Sequence, residues 1–159
     1  GDRTVALKSD STLWAWGRNE EGWLGDGTII DRYTPTQIGS ASDWTAIAVG
    51  PSHMVALKSS GRLWAWGANL HGQLGYGTIN SRDTPNAPIS SRLKWSAISV
   101  GLSHTVGLKS DGTIWAWGNN GSGQLGDGTT DNKSIPIQIG SETDWSGIAA
   151  GDENTFAIK

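Results

Sequence analysis

Apolar residues in this chain fall in short runs separated by glycine, serine, threonine and aspartate. Nowhere do they recur at the three-and-four spacing of an amphipathic helix. The clearest run is Leu13-Trp14-Ala15-Trp16-Gly17. It returns as Leu63-Trp64-Ala65-Trp66-Gly67 and as Ile114-Trp115-Ala116-Trp117-Gly118, 50 and then 51 residues on. Side chains alternate along a strand, so Trp14 and Trp16 project to one face, Leu13 and Ala15 to the other. Both faces are apolar, and the strand needs cover on both. A sheet stacked between two like sheets provides it, and a period of this length is that of solenoids and propellers.

The remaining pattern repeats with it. Val5-Ala6-Leu7-Lys8 matches Val55-Ala56-Leu57-Lys58, Val106-Gly107-Leu108-Lys109 and Phe156-Ala157-Ile158-Lys159. Small polar residues follow (Ser9-Asp10-Ser11, Ser59-Ser60-Gly61, Ser110-Asp111-Gly112), so each such strand forms a hairpin with the tryptophan strand after it. Next comes a glycine-rich loop with one embedded leucine: Gly22-Trp23-Leu24-Gly25, Gly72-Gln73-Leu74-Gly75 and Gly123-Gln124-Leu125-Gly126. Its glycines predict turns of positive φ, and its leucine a plug into the core. A strand marked by Pro35, Pro85 or Pro136 reads as an outer edge, because proline brings no donor. Last is an alternating strand led by Trp44, Trp95 or Trp145. Four strands per unit, with proline outermost, is the pattern of a propeller blade. The expected fold is all-β, a single array over residues 1–159. Repeats cover about 1–49, 50–100 and 101–150, and 151–159 starts a fourth.

Composition removes several functions. With no cysteine there is neither a disulfide framework nor a cysteine zinc site. The compartment stays open, an extracellular or cell-surface setting being favoured. A net charge of −3 gives no basic field for nucleic acid. No run approaches the roughly 20 apolar residues of a membrane-spanning helix. No initiator methionine or signal peptide is present, so the sequence is expected to be processed or part of something longer.

Three recurring elements carry a family resemblance. They are Gly-x-x-His-x-x-x-Leu (Gly50, His53, Leu57; Gly101, His104, Leu108), Trp-Gly-x-Asn (Gly17, Asn19; Gly67, Asn69; Gly118, Asn120) and Gly-Gln-Leu-Gly-x-Gly-Thr. With them the chain resembles the regulator of chromosome condensation repeat family, in a form closer to its bacterial members. The resemblance implies a seven-bladed propeller of four-stranded antiparallel blades, with repeats and blades out of frame. Complete blades are then expected at about 44–89 and 95–139, with partial blades on either side and no closed ring. Either the chain is a section of a longer propeller, or copies meet end to end as an oligomer. Against simple strand exchange, Phe156-Ala157-Ile158-Lys159 duplicates Val5-Ala6-Leu7-Lys8 and would compete with it.

Candidate chemistry is sparse. Trp14, Trp16, Trp44, Trp64, Trp66, Trp95, Trp115, Trp117 and Trp145 recur in equivalent positions and are read as inter-blade core. A light-sensing relative has tryptophan directly after the glycine of Gly-x-x-His; here Pro51, Leu102 and Asp152 stand there, so that activity is not carried over. His53 and His104 give way to Arg3 and Asn154 in other units, which suits a polar residue satisfying backbone rather than a metal ligand. Asp26 and Asp127 lack the spacing of a calcium loop and read as turn caps. No phosphate loop, triad, cofactor or metal site is expected.

Recognition is sought where one unit departs from its siblings. Trp23 replaces glutamine, Tyr76 replaces aspartate, and Tyr33 stands where Asp83 and Ser134 stand elsewhere; Glu20, Glu21 and His71 vary at one loop position. These are the candidate binding residues. The expected function is a non-enzymatic scaffold binding a protein partner or another copy of itself. The alternatives are inhibition of a secreted hydrolase, nucleotide exchange on a small GTPase (lacking here the insertion used by the family's founder), and sugar binding by stacking on an aromatic ring.

Overall fold

The computed structural model describes residues 2–85, 88–89 and 94–159. Among these are thirteen strands and no helix: β1 (Arg3–Leu7), β2 (Leu13–Gly17), β3 (Arg32–Gln37), β4 (Trp44–Val49), β5 (His53–Lys58), β6 (Leu63–Gly67), β7 (Pro88–Ile89), β8 (Trp95–Val100), β9 (His104–Lys109), β10 (Ile114–Gly118), β11 (Lys133–Ile139), β12 (Gly147–Ala150) and β13 (Thr155–Ile158). They pair antiparallel into four sheets, in the orders β1-β2-β3, β4-β5-β6-β7, β8-β9-β10-β11 and β12-β13. The ring is not closed.

The central hairpins share one register: Val5 opposes Ala15, Val55 opposes Ala65 and Val106 opposes Ala116. Their turns place Ser11, Gly61 and Gly112 at φ 61°, 74° and 76°. Ser11 is the one non-glycine at positive φ among the described residues; its N–H still closes the turn onto the Lys8 carbonyl at 2.9 Å. Pro35 and Pro136 lie in β3 and β11, the outer strands of their sheets, where no further ladder needs their missing donor.

The core lies between sheets, not within one. Leu13, Ala15, Leu24 and Ile38 of the first unit close on Trp44, Met54, Ala56 and Trp66 of the second. The next layer joins Val55, Leu63, Ala65, Leu74 and Ile89 to Trp95 and Trp117. Beyond β9 and β10 a third layer has only the half-buried Trp145, Ile148 and Ala150 opposite it. Trp66 and Trp117 are fully buried, and Trp44 and Trp95 nearly so. Trp14, Trp16, Trp64, Trp115 and Trp145 are half-buried. Lys58 lies over the rings of Trp44 and Trp64, 4.6 and 4.7 Å from their centroids, so its stem covers what the sheets leave open. Trp14 and Trp16 stand on the face of the first sheet that no described sheet covers, around an open hollow of about 330 Å³ with Ala6, Lys8 and Pro35.

Candidate functional site

All three glycine-rich loops leave the same end of their hairpins and form one rim. A buried asparagine shapes each. The Asn69 side-chain oxygen accepts from the Leu74 N–H at 2.9 Å, and its amide donates to the Thr78 and Asn80 carbonyls, both at 2.9 Å. Asn19 and Asn120 do the same for Leu24 and Leu125. Asn19 and Asn69 each fix the loop at three backbone points, Asn120 at two and the Asp127 carboxylate, and each turns its leucine inward.

The loops clasp the neighbouring blade. A Cβ built on Gly25 would stand 2.5 Å from the Trp66 indole nitrogen, and one on Gly75 2.7 Å from that of Trp117. Only glycine permits this approach, and at φ 80° and 76° both already require it. Gly27 donates to the Asp83 carbonyl (3.0 Å) and Gly77 to that of Ser134 (2.8 Å).

The acidic loop residues are self-satisfied. Asp26 accepts from the Thr28 N–H and hydroxyl at 3.0 and 2.8 Å and pairs with Arg32 at 2.6 Å. Burial pushes its carboxyl up, but Thr28 and Arg32 pull it further down, below the ordinary value. Arg32 thus neutralises the Asp26 carboxylate.

Deeper in, a polar chain links successive blades. His53 Nε2 lies 2.8 Å from Thr105 Oγ1, which donates to the Gln73 carbonyl at 2.8 Å. His104, Thr155 and Gln124 repeat the arrangement at 3.1 and 2.8 Å. Both histidines are committed to threonine through Nε2, and the Ser52 hydroxyl, 3.5 Å from His53 Nδ1, lies 2.6 Å from the Leu102 carbonyl, to which it donates. Among the described residues no cluster of three His, Cys, Asp or Glu could hold a metal ion.

The first seam is built differently. Arg3 stands for histidine, Met54 for threonine and Trp23 for glutamine. Methionine cannot donate to the loop carbonyl, and the Trp66 indole does so instead, reaching the Trp23 oxygen at 2.9 Å. Arg3 crosses the seam to the Gly50 and Pro51 carbonyls, and its guanidinium lies 4.4 Å from the Trp23 ring centroid. Three departures from the repeat are one coordinated exchange. Trp23, expected on a recognition surface, is half-buried in this seam and also lines an adjoining cavity.

Tyr76 is placed inside its blade. Its hydroxyl accepts from the Ala65 N–H at 2.9 Å and donates to the Ala65 carbonyl at 3.1 Å, with Arg82 over the ring. In the first and third sheets the equivalent Ala15 and Ala116 pair with Thr36 and Ile137 of the outer strand. Among the described residues the β6–β7 ladder pairs Leu63 with Ile89 and Trp64 with Pro88. In the second sheet the Tyr76 hydroxyl bonds both the N–H and the carbonyl of Ala65. Tyr76→Phe is therefore expected to lower unfolding free energy by roughly 1–3 kcal/mol, by leaving two backbone groups unmatched. A shift within error in a urea titration would show that the hydroxyl is not needed.

Of the other candidate residues, Tyr33 is 91% exposed on β3. Glu20 is exposed and paired with Arg18 at 2.6 Å, and Glu21 is exposed. His71 is half-buried, with Nδ1 3.3 Å from Asn132 Nδ2, so it joins the second loop to the third.

A cavity of about 400 Å³ opens on the rim, lined by Asp2, Arg3, Arg18, Trp23, Val49, Gly50 and Pro51. The loop tips of the first two units carry Ile29, Ile30, Leu70 and Ile79, each at least 60% exposed. None of these aliphatic residues is among the candidate binding residues of the sequence, although Leu70 shares the variable loop position of Glu20 and Gly121. The signal was present: Ile30 aligns with Asn80 and Asp131, and Leu70 with Glu20 and Gly121.

The regulator of chromosome condensation (RCC1) repeat matches residues 10–57, 60–108 and 111–158. The ultraviolet-B receptor UVR8 of Arabidopsis thaliana is 30% identical over 98% of this chain, and the human E3 ubiquitin-protein ligase HERC2 is 35% identical over 98%. The chain spans 37% of the receptor's length and 3% of the ligase's. Among solved structures, human WBSCR16 superposes with a TM-score of 0.82 at 23% identity, over 99% of this chain and 42% of that one. Prp20p of Saccharomyces cerevisiae, described with its binding to Gsp1p and histones, gives 0.82 at 20% identity over 98% of this chain and 41% of that one. Clasping loops, buried asparagines and stacked four-stranded blades agree with these matches, and the chain belongs to the regulator of chromosome condensation (RCC1) repeat family.

Proposed function

We propose that this chain is a non-enzymatic scaffold that binds a protein partner through the glycine-loop rim of its first two units. The observation that carries this reading is the set of exposed aliphatic side chains at the loop tips, Ile29, Ile30, Leu70 and Ile79. Exposed apolar loop tips suit a protein surface better than a sugar, which would want an open aromatic plane with polar neighbours. The third unit, with Thr130 and Asp131 at its tip, lies outside the surface. Similarity to Prp20p, whose structure is described with protein partners, supports a binding role for this architecture. Glu20, Glu21, His71 and Tyr33 belong to its rim or flank as secondary contacts.

The test compares wild type with the double variant Ile30→Glu, Leu70→Glu. Both sites are open to solvent, so the unfolding midpoint should stay put. Proteins retained from a native extract by wild type should be lost by the variant. Equal retention by both, or a ligand found on a glycan array, would remove this reading.

A further inference from the structure

We propose that the cavity between the first and second units binds a small organic monocarboxylate, with its charge on Arg3 and its apolar body against Trp23, Val49 and Pro51. The site lies on a seam inside the chain and is independent of protein binding by the loop tips.

Every side chain that the first unit contributes to this cavity departs from the repeat. Asp2 stands for Ser52 and Ser103, Arg3 for His53 and His104, Arg18 for Ala68 and Asn119, and Trp23 for Gln73 and Gln124. Packing demands recur in every unit, so a set confined to one seam answers a demand of that seam. In the second seam the Ser52 hydroxyl donates to the Leu102 carbonyl at 2.6 Å, and His53 meets Thr105 at 2.8 Å. These short side chains tie one unit directly to the next. In the first seam the Asp2 carboxylate cannot donate, and the equivalent Pro51 carbonyl takes Arg3 instead. Between these parts lies a hollow of about 400 Å³, within the range of roughly 300–1,000 Å³ that holds small molecules.

Arg3 is the charge this seam leaves uncompensated. Its Nη2 donates to the Gly50 and Pro51 carbonyls, its Nε is buried, and its Cζ lies 4.4 Å from the Trp23 ring centroid. Carbonyls and a ring carry no full negative charge. Among the described residues no carboxylate lies within ion-pair reach of Arg3, while Arg18 has both Asp2 and Glu20, at 3.7 and 2.6 Å. Burial pulls the Arg3 guanidinium below its ordinary value, and Asp2 and Glu21 oppose this only from a distance. A half-buried cation without a counter-ion calls for one. Nη1 is neither hydrogen-bonded nor enclosed among the described residues, and it is the donor left for an anion.

The rest of the wall selects the anion. Arg18 is already neutralised, and Asp2 repels a second negative charge, which disfavours phosphate. Trp23, Val49 (44% exposed) and the exposed Pro51 offer apolar surface to the group that carries the carboxylate.

Isothermal titration calorimetry with sodium benzoate, its uncharged analogue benzamide and inorganic phosphate tests the site. Benzoate should bind once per chain with a Kd of roughly 1 mM or below, an affinity open to a ligand of this size. Benzamide and phosphate should bind at least roughly tenfold more weakly, because one lacks the charge and the other the apolar body. Arg3→Gln should weaken benzoate roughly tenfold or more. Because Arg3 also ties the seam, Val49→Phe gives a second reading. It keeps a strand former and fills the hollow from a side chain already open to solvent. Benzoate binding should be lost in it with the urea midpoint unchanged. No benzoate binding at roughly 10 mM overturns the proposal, as does equal binding of benzamide, tighter binding of phosphate, or benzoate binding that survives both variants.

Discussion

Trp66→Ala is expected to lower the unfolding free energy by roughly 3–5 kcal/mol, the cost of emptying a large aromatic site in a core that collapses only in part. The indole is fully buried against Leu24, Met54 and the Gly25 backbone, and its N–H holds the Trp23 carbonyl at 2.9 Å. Alanine leaves a void beneath the first loop and removes the one side-chain bond recorded from that indole across the seam. The loop is rigid through Asn19 and cannot follow the retreating surface. The same substitution at Trp16, which no described loop covers, should cost markedly less. Urea unfolding of both variants decides the matter: equal losses would mean that burial between blades is not what holds the repeat tryptophans.

Why these two tryptophans differ could not be read from the repeat. Trp16, Trp66 and Trp117 stand in the same motif with the same neighbours along the chain. Their burial depends on the loop of the preceding unit, which the first tryptophan lacks among the described residues. The hairpins, inward leucines and proline-bearing outer strands were legible because each follows from local pattern: alternation, turn residues, a missing donor. The seam chemistry was hidden because its members lie in different units. Arg3, Trp23 and Met54 look like three unrelated departures until the fold places them side by side. Tyr76 looked like a recognition residue because tyrosine for aspartate is a change of chemistry in an exposed kind of loop. Its role became visible only once the fold set its hydroxyl against the Ala65 backbone. Asn19, Asn69 and Asn120 were legible as a motif, whereas the grip of each on its loop was not, since the spacing of the partners has no sequence mark.

Stability should fall as the medium is acidified from neutrality, beginning well above the carboxylate range. His53 is enclosed on all sides, and Thr105 fixes its protonation: the hydroxyl spends its proton on the Gln73 carbonyl and so must accept from His53 Nε2–H. The ring is neutral, and a second proton would have to enter at Nδ1. Burial first, then His104 and Arg3 nearby, push His53 from 6.5 to about 3. Burial also lowers His104, outweighing a bond to the Asn154 backbone that pulls it up. With folded values below the unfolded one, the unfolded chain binds more protons between about pH 3 and 6.5. The stabilisation is thus whole above 6.5 and is lost as pH falls, by up to about 1.4 kcal/mol per pH unit for one such group. Asp26 and Asp127, both held below the ordinary carboxylate value, contribute only at lower pH, so the window from about 4.5 to 7 isolates the histidines. Chemical unfolding across that window should show a falling midpoint. His53→Gln keeps a donor for Thr105 without a titrating ring, and the slope should flatten whatever the variant's own stability. A midpoint level from pH 7 to 4.5, or an unchanged slope in His53→Gln, would mean that the ring takes up its proton inside the folded seam.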